Sequence, residues 1–368
     1  MKPPLRWKQY LAVPTTIAFM YLVYVFSGEG RMVVTDPWLH PKNLAETGKD
    51  DRPVVVTAAC GVQAPKELLL SLRSLILFSH VPFRYVVIAD DVAADMLRQV
   101  QRTLPPHVQL EIVGIHMRIP WKYRPWNDAF HEPCTWQRLF LPDILPHYRL
   151  ALYVDIDMLF FVGLEEVWQA FRQLETGQLI GITLEHEVLS TSSIYQTSEN
   201  GHIPHYGKTG IQAGILSMDL EKMRSRGWKE EILGILEERM GDIAFKDQDI
   251  LNIYGHRHPD AIKILPCRWN FRQEHCRHEN NTCLSAHEDG IGILHGAAET
   301  FRNWKFPGIR TAADVFREWD FRADPSGLAD EMERRIAMLD DDASCDPLRL
   351  RFFSKTLRKQ LSQTFVVP

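Results

Sequence analysis

Two aspartates stand one residue apart where an apolar run ends: Leu150-Ala151-Leu152-Tyr153-Val154 leads into Asp155-Ile156-Asp157, and Met158-Leu159-Phe160-Phe161 follows. Carboxylates are hard oxygen donors, and two delivered together suit Mn²⁺, or Mg²⁺ in its place. An ion held there would offset the negative charge that develops on a phosphate leaving group. The competing reading is a solvated loop with two unrelated acids, and Asp-x-Asp recurs at Asp247/Asp249 and at Asp340/Asp342. Context separates the first pair, because an apolar strand delivers both side chains to one sheet edge. Asp247-Gln248-Asp249 instead opens an apolar helix, where first-turn acids also answer the helix dipole. The acids of 340–346 read as a solvated loop. His295, closing Ile291-Gly292-Ile293-Leu294, is either a core histidine satisfied by backbone or an imidazole ligand beside the carboxylates. Glu185-His186-Glu187 lacks the spacing of a zinc-protease motif.

The elements that must position these residues alternate. Residues 52–61 are a β-branched run ending in small residues and predict a buried strand, and 68–78 carry a helical apolar face. Residues 83–89 predict a second strand closed by Asp90 and Asp91, 92–103 a helix, and 108–115 a third strand. This order gives an α/β fold with a mostly parallel sheet and right-handed crossovers. Ligands of such sheets sit beyond the carboxyl ends of the strands. The dinucleotide fingerprint and the phosphate-binding P-loop are both absent. Residues 326–340 predict a charged helix, and 347–363 a basic, partly amphipathic stretch read as a solvated helix face.

The 368 residues are 45% hydrophobic and 24% charged, with a net charge of −5. That composition excludes a disordered chain and argues against a general nucleic-acid binder. Lys2, Arg6 and Lys8 precede an uncharged apolar run, Tyr10 to Phe26, about 25 Å long as a helix. The reading is a single-pass type II anchor: a cytoplasmic tail at 1–9, a membrane helix at 10–27 and a lumenal stem at 28–51. A cleaved signal peptide is the alternative, and either places the body in the secretory pathway, in Golgi or endoplasmic reticulum. A catalytic domain then spans 52–315 and a helical extension 316–368. Six cysteines suit a few disulfides in an oxidising compartment. Connectivity does not follow from sequence, although the Cys276–Cys283 loop is short enough to close easily. Asn280-Asn281-Thr282 is a glycosylation sequon.

In sequence order, these segments resemble the retaining nucleotide-sugar transferases of glycosyltransferase family 8, from about Val54 to Lys305. The likeness is carried by Glu132-Pro133-Cys134 with Gln137-Arg138-Leu139-Phe140, by Leu150 to Phe161, by Glu185-His186-Glu187 and by His205 to Gly210. Asp247 to Asn252, Pro266 to Arg272 and Ile293-Leu294-His295-Gly296 complete it. The set is similar in particular to the glucoside xylosyltransferases, which move xylose from UDP-xylose to an O-linked glucose on EGF-like repeats.

The resemblance implies a GT-A-like fold: a mixed, mostly parallel sheet flanked by helices. It implies a UDP-sugar donor and a glycoprotein acceptor, and makes Asp155, Asp157 and His295 ligands of Mn²⁺. Thr57, Ala58, Ala59 and Cys60, at the end of the first strand, would adjoin the nucleoside. Arg138 would contact the donor, Gly296 would let backbone approach the diphosphate, and Lys305 would neutralise it, with Arg302 as a rival. Asp247 would bind sugar hydroxyls, Gln248 would lie near the anomeric carbon, and Asp249 would be a nucleophile or ion-pair partner. Gln212 stands where relatives usually carry asparagine, which bears on donor-sugar choice. The rival readings are transfer of another sugar, a UDP-sugar-binding pseudoenzyme and a metal-dependent phosphoesterase.

Overall fold

The computed structural model describes residues 52–115, 134–188, 193–197, 199–277, 283–319 and 324–339, all in one compact unit, Gly48–Pro368. The expected tail, membrane helix, stem, sequon, 340–346 loop and basic C-terminal stretch lie outside the described residues. Among the described residues no helix is long and apolar enough to cross a membrane.

Strand β1 (Val54–Ala59) and strand β2 (Phe83–Ala89) are buried at every position, which is why both read as unbroken apolar runs rather than alternating ones. Helix α1 (Ala64–Phe78) joins them, with Pro65 in its first turn where no N–H is needed. Helix α2 (Asp91–Gln101) follows β2; Asp90 caps it, its Oδ1 accepting from Ala93 N and its Oδ2 from Gly61 N, each at 2.8 Å. Strand β3 (Val108–Gly114) completes the parallel half.

The chain returns through a 3₁₀ segment, Thr135–Phe140, to β4 (Leu150–Val154), which lies parallel to β1 on the side away from β2. Strands β1 and β4 therefore flank a topological switch point, where a crevice opens beyond the strand ends. Strand β5 (Met158–Phe160) leaves this sheet, helix α3 (Leu164–Phe171) follows, and β6 (Ile180–Leu184), β7 (Ile211–Asp219) and β8 (Ile262–Leu265) extend it. The order is β3-β2-β1-β4-β7-β6-β8, with β7 antiparallel to both neighbours and the other pairings parallel. The expected mixed, mostly parallel sheet is what forms. Strand β9 (Ile293–His295) pairs antiparallel with β5 as a separate two-stranded sheet.

Helices α4 (Trp228–Arg239) and α5 (Asp247–Arg257) bury their apolar sides in the core on one face of the large sheet. A second core lies on the opposite face, around α1, α2 and α3. A third joins β5 and β9 to α6 (Pro307–Glu318) and α7 (Leu328–Ile336). Helix α7 is the charged helix expected at 326–340; it buries Leu328, Ala329, Met332 and Ile336, an i, i+1, i+4, i+8 stripe.

Two disulfides form, Cys60–Cys134 and Cys267–Cys283. The second corrects the short Cys276–Cys283 closure. Cys283 caps a short helix whose far side, Ala286, packs in the third core, and this brings it to Cys267 at a Cα separation of 5.6 Å.

Candidate functional site

Asp155-Ile156-Asp157 is the turn between β4 and β5, so each carboxylate stands where one sheet hands over to the other. The backbone of both residues is tied down: Asp155 N donates to Gly214 O at 2.9 Å, and Gly296 N donates to Asp157 O at 2.7 Å. The antiparallel register sets His295 opposite Met158, one residue beyond Asp157. Its Nε2 lies 3.6 Å from Asp155 Oδ2 and 3.4 Å from Asp157 Oδ1. The three candidate ligand atoms fall within 4.8 Å of one another.

The tautomer of His295 follows from a chain of hydrogen bonds that begins at a fixed backbone donor. Gly214 N donates to Gln212 Oε1 at 2.7 Å, which fixes the Gln212 amide. Asn270 Nδ2 then donates to the same oxygen at 2.6 Å and to Thr183 Oγ1 at 2.9 Å, which turns Asn270 Oδ1 to His295 Nδ1 at 2.9 Å. Nδ1 must carry the proton, and Nε2 is left facing two carboxylates. With Nδ1 turned to Asn270, Nε2 is the ring atom that can share a cation with the two carboxylates, so the donor set fits a divalent ion. The oxygen and imidazole donors suit Mn²⁺.

Arg138 connects this corner to α5. Its Nη2 is 2.8 Å from Asp155 Oδ1, its Nε is 2.7 Å from Asp247 Oδ2, and its guanidinium lies 4.5 Å over the Tyr153 ring. Arg138 and Asp247 are only 7% and 4% exposed. The Arg138–Asp247 contact is ionic without hydrogen-bond alignment, and Asp247 Oδ2 is left buried with no aligned donor. Burial, reinforced by the charge of Asp155, outweighs Arg138 and pushes the Asp247 carboxyl up to about 6. Burial also raises Asp155, against the pull of Arg138 and His295.

A cavity of about 640 Å³ opens at the switch point and is walled by Ala58, Cys60, Asp90, Arg138, Tyr153, Asp155, Asp157, Gly296 and Arg302, among others. It sorts the expected site residues. Thr57 and Ala59 do not line it: successive strand residues face opposite sides, and Ala59 packs with Val55 in the core beneath α1. Ala58 and Cys60, of the same four expected residues, do line the cavity. The Gln212 amide oxygen is engaged by Gly214 and Asn270, which places Gln212 in the support of His295. Gly296 does line the cavity, but the space a Cβ would take is filled by the Phe301 ring at 2.7 Å, so close packing is what requires glycine. Lys305 is exposed and off the wall, whereas Arg302 is on it, because the 3₁₀ turn after Gly296 brings Arg302 round first.

Asp249 is fully buried. Its Oδ2 accepts from Ala244 N at 2.7 Å and Phe245 N at 2.6 Å, and its Oδ1 from the Tyr195 hydroxyl at 2.7 Å. It closes the 244–246 loop, where Lys246 has a φ of 55°, and it does not line the cavity. Asp247 and Gln248 also stand off the cavity wall, behind Arg138. Asp90, Tyr153, Asn270 and the pairing of Cys60 with Cys134 belong to the site without having been given a role from sequence. The sequence signal for Asp90 was its place at the end of a buried strand, and that for Asn270 its place in the Pro266–Arg272 segment.

An Asp-x-Asp turn and a histidine gathered at the carboxyl edge of a mostly parallel α/β sheet define a nucleotide-sugar transferase fold. A crystal structure of mouse Xyloside xylosyltransferase 1 has the same fold, with a TM-score of 0.52 at 16% identity over 68% of this chain and 99% of that one. The galactosyltransferase LgtC in complex with donor and acceptor sugar analogs gives a TM-score of 0.52 at 15% identity over 85% of this chain and 97% of that one. The Glycosyl transferase family 8 model matches residues 66–305, and the chain belongs to that family. Glucoside xylosyltransferase 2 of Mus musculus is 30% identical over 284 residues, 73% of this chain and 62% of that protein. Glucoside xylosyltransferase 1 of Homo sapiens is 29% identical over 292 residues, 73% of this chain and 63% of that protein. The match thus spans just under two thirds of the length of these relatives.

Proposed function

We propose that the protein is a retaining, Mn²⁺-dependent glycosyltransferase that takes xylose from UDP-xylose and delivers it to an O-linked glucose on EGF-like repeats. The observation that carries the reading is the convergence of Asp155 and Asp157, on the wall of the switch-point cavity, with His295 buried beside them. The relatives' names supply the sugar and the acceptor class. When bound, the ion would supply a Lewis acid for the diphosphate leaving group.

The chain's own residues do the remaining work. Arg302, a cation on the cavity wall, receives negative charge as the sugar–phosphate bond breaks. Arg138 is held by Asp155 and Asp247, so its charge is fixed in place before any donor arrives. Asp247 and Asp249 are both buried off the cavity wall, which favours same-face attack assisted by the leaving phosphate over a covalent intermediate on either carboxylate. The residues 10–27 anchor and a lumenal catalytic domain belong to the same proposal.

The test is UDP release by the purified full chain across a panel of UDP-sugars, with Mn²⁺ or EDTA, and with or without an O-glucosylated EGF-like repeat. The expected outcome is Mn²⁺-dependent release from UDP-xylose, stimulated by the repeat and lost in Asp155→Ala/Asp157→Ala. Preference for another UDP-sugar would sink the xylose assignment and keep the transferase reading. Binding of UDP with no release from any donor would move the protein to a binding-only class.

A further inference from the structure

The switch-point cavity adjoins a second one of about 440 Å³ between α1 and α6, and Gln63, Glu67, Phe301 and Arg302 wall both. Leu69, Leu70 and Phe301 give the second groove an apolar floor. Lys66, Arg73, Arg302, Arg310 and Arg317 line it with positive charge, against Glu67 as its one carboxylate.

The helices that carry these cations do not explain them. Lys66 stands in the first turn of α1 and Arg310 in the first turn of α6, where the helix dipole disfavours a cation. The arginines of α6 are also held in place. Arg310 lies 4.8 Å over the Trp304 ring, and donates to Asp314 Oδ2 at 2.9 Å and to the Arg302 carbonyl. Arg317 donates to Asp314 Oδ1 and, at 3.1 Å, to the Phe301 carbonyl. Glu67 meets Arg302 at 3.8 Å and Arg317 at 3.9 Å, too far for hydrogen bonds. Asp314 and Glu299 pair with the arginines from outside the lining, so a ligand in the groove meets the cations first.

We infer that this groove is a subsite for acidic polypeptide: carboxylates of the glycoprotein acceptor, flanking the residue that bears the acceptor sugar, lie along α1 and α6. The inference rests on the transferase reading above. The charge of the lining selects an acidic ligand. The shared wall selects the acceptor, because an occupant of this groove lies beside the reacting groups, which a membrane surface does not need to do.

Steady-state transfer by the full chain is measured with saturating UDP-xylose and Mn²⁺, on an O-glucosylated EGF-like repeat and on a small neutral glucoside. Wild type is compared with Lys66→Gln/Arg73→Gln, two positions outside the donor cavity. KM for the repeat is expected to rise about threefold to tenfold, with kcat, UDP affinity and KM for the glucoside within about twofold. Added salt should bring the wild-type KM for the repeat toward that of the variant. Unchanged KM for the repeat, or equal losses for repeat and glucoside, overturn the inference. Should the double variant unfold, Lys66→Gln at its exposed position carries the same comparison, with a rise of about twofold to threefold. If another UDP-sugar is the donor, the xylose assignment alone fails and the comparison is run with that sugar. If no UDP-sugar is turned over, or the repeat is not glycosylated, the transferase or acceptor reading fails. Fluorescence anisotropy in EDTA then decides the groove, using a labelled peptide of alternating glutamate and leucine against its glutamine counterpart. Tighter binding of the glutamate peptide, lost in the variant, upholds the acidic subsite, and equal binding of the two peptides overturns it. Phosphatidylserine vesicles that capture wild type but not the variant, with KM for the repeat unchanged, would make the groove a membrane contact and overturn it too.

Discussion

Gly214 has no side chain, and that decides where His295 can sit: a Cβ on Gly214 would lie 2.4 Å from His295 Cε1 and 2.7 Å from its Nδ1. The imidazole rests against bare backbone, and Asn270 sets its tautomer from the side. Residues that orient a metal histidine without touching the ion are worth about tenfold to a hundredfold in metal affinity. Asn270→Ala should weaken Mn²⁺ binding to the full chain by about that factor, measured by titrating free Mn²⁺ by electron paramagnetic resonance. Unchanged Mn²⁺ affinity would remove Asn270 and Gln212 from any support of the site. The Asp-x-Asp turn and His295 were legible in the sequence because apolar strands flank them. Asn270 was not, because its role depends on Gln212 and His295 arriving from strands far away in the chain.

At the scale of elements, the Cys60–Cys134 bridge ties the end of β1 to the 3₁₀ segment that carries Arg138, and both cysteines line the cavity. The Cys267–Cys283 bridge lies with the third core, away from the cavity. The two close loops of 74 and 16 residues, for which unfolded-chain entropy gives about 4 and about 3 kcal/mol of stabilisation. Stability alone therefore separates them only slightly; function separates them sharply. Cys60→Ser/Cys134→Ser should lose UDP affinity several-fold at temperatures where it remains folded, because the end of β1 and the segment carrying Arg138, which both wall the crevice, are no longer tied together. Cys267→Ser/Cys283→Ser should lower the denaturant midpoint and bind UDP as wild type does. Equal UDP affinity in both variants would make the first bridge a stability device only. Sequence could not pair these cysteines, since 60 and 134 meet only once β4 has crossed to the far side of β1. The placement of Thr57 and Ala59 failed for a related reason. A strand buried on both faces carries no alternation, so the sequence does not say which of its residues face the ligand side.

On the scale of the whole molecule, the cavity belongs to no single element. Its walls come from β1, the end of β2, the 3₁₀ segment, the β4–β5 turn and the loop after β9, which draw on the large and small sheets alike. A ligand filling it bridges parts of the chain from Ala58 to Arg302, so binding should resist unfolding of the molecule as a unit. Asp155 and Asp157 gather negative charge on one wall, so a diphosphate entering alone meets repulsion there, and Mn²⁺ should come with it. Mass action at a ligand concentration a hundred times its dissociation constant adds about 2.7 kcal/mol, or a rise of roughly 5 °C in the unfolding midpoint for a large domain. Scanning calorimetry of the full chain should show that rise with Mn²⁺ and UDP together and little with UDP alone. Asp155→Ala/Asp157→Ala should abolish the joint effect while still folding, since removing two mutually repelling acids relieves the wall. A full shift with UDP in EDTA would mean that Arg138 and Arg302 alone hold the diphosphate, and the aspartates would then need another role.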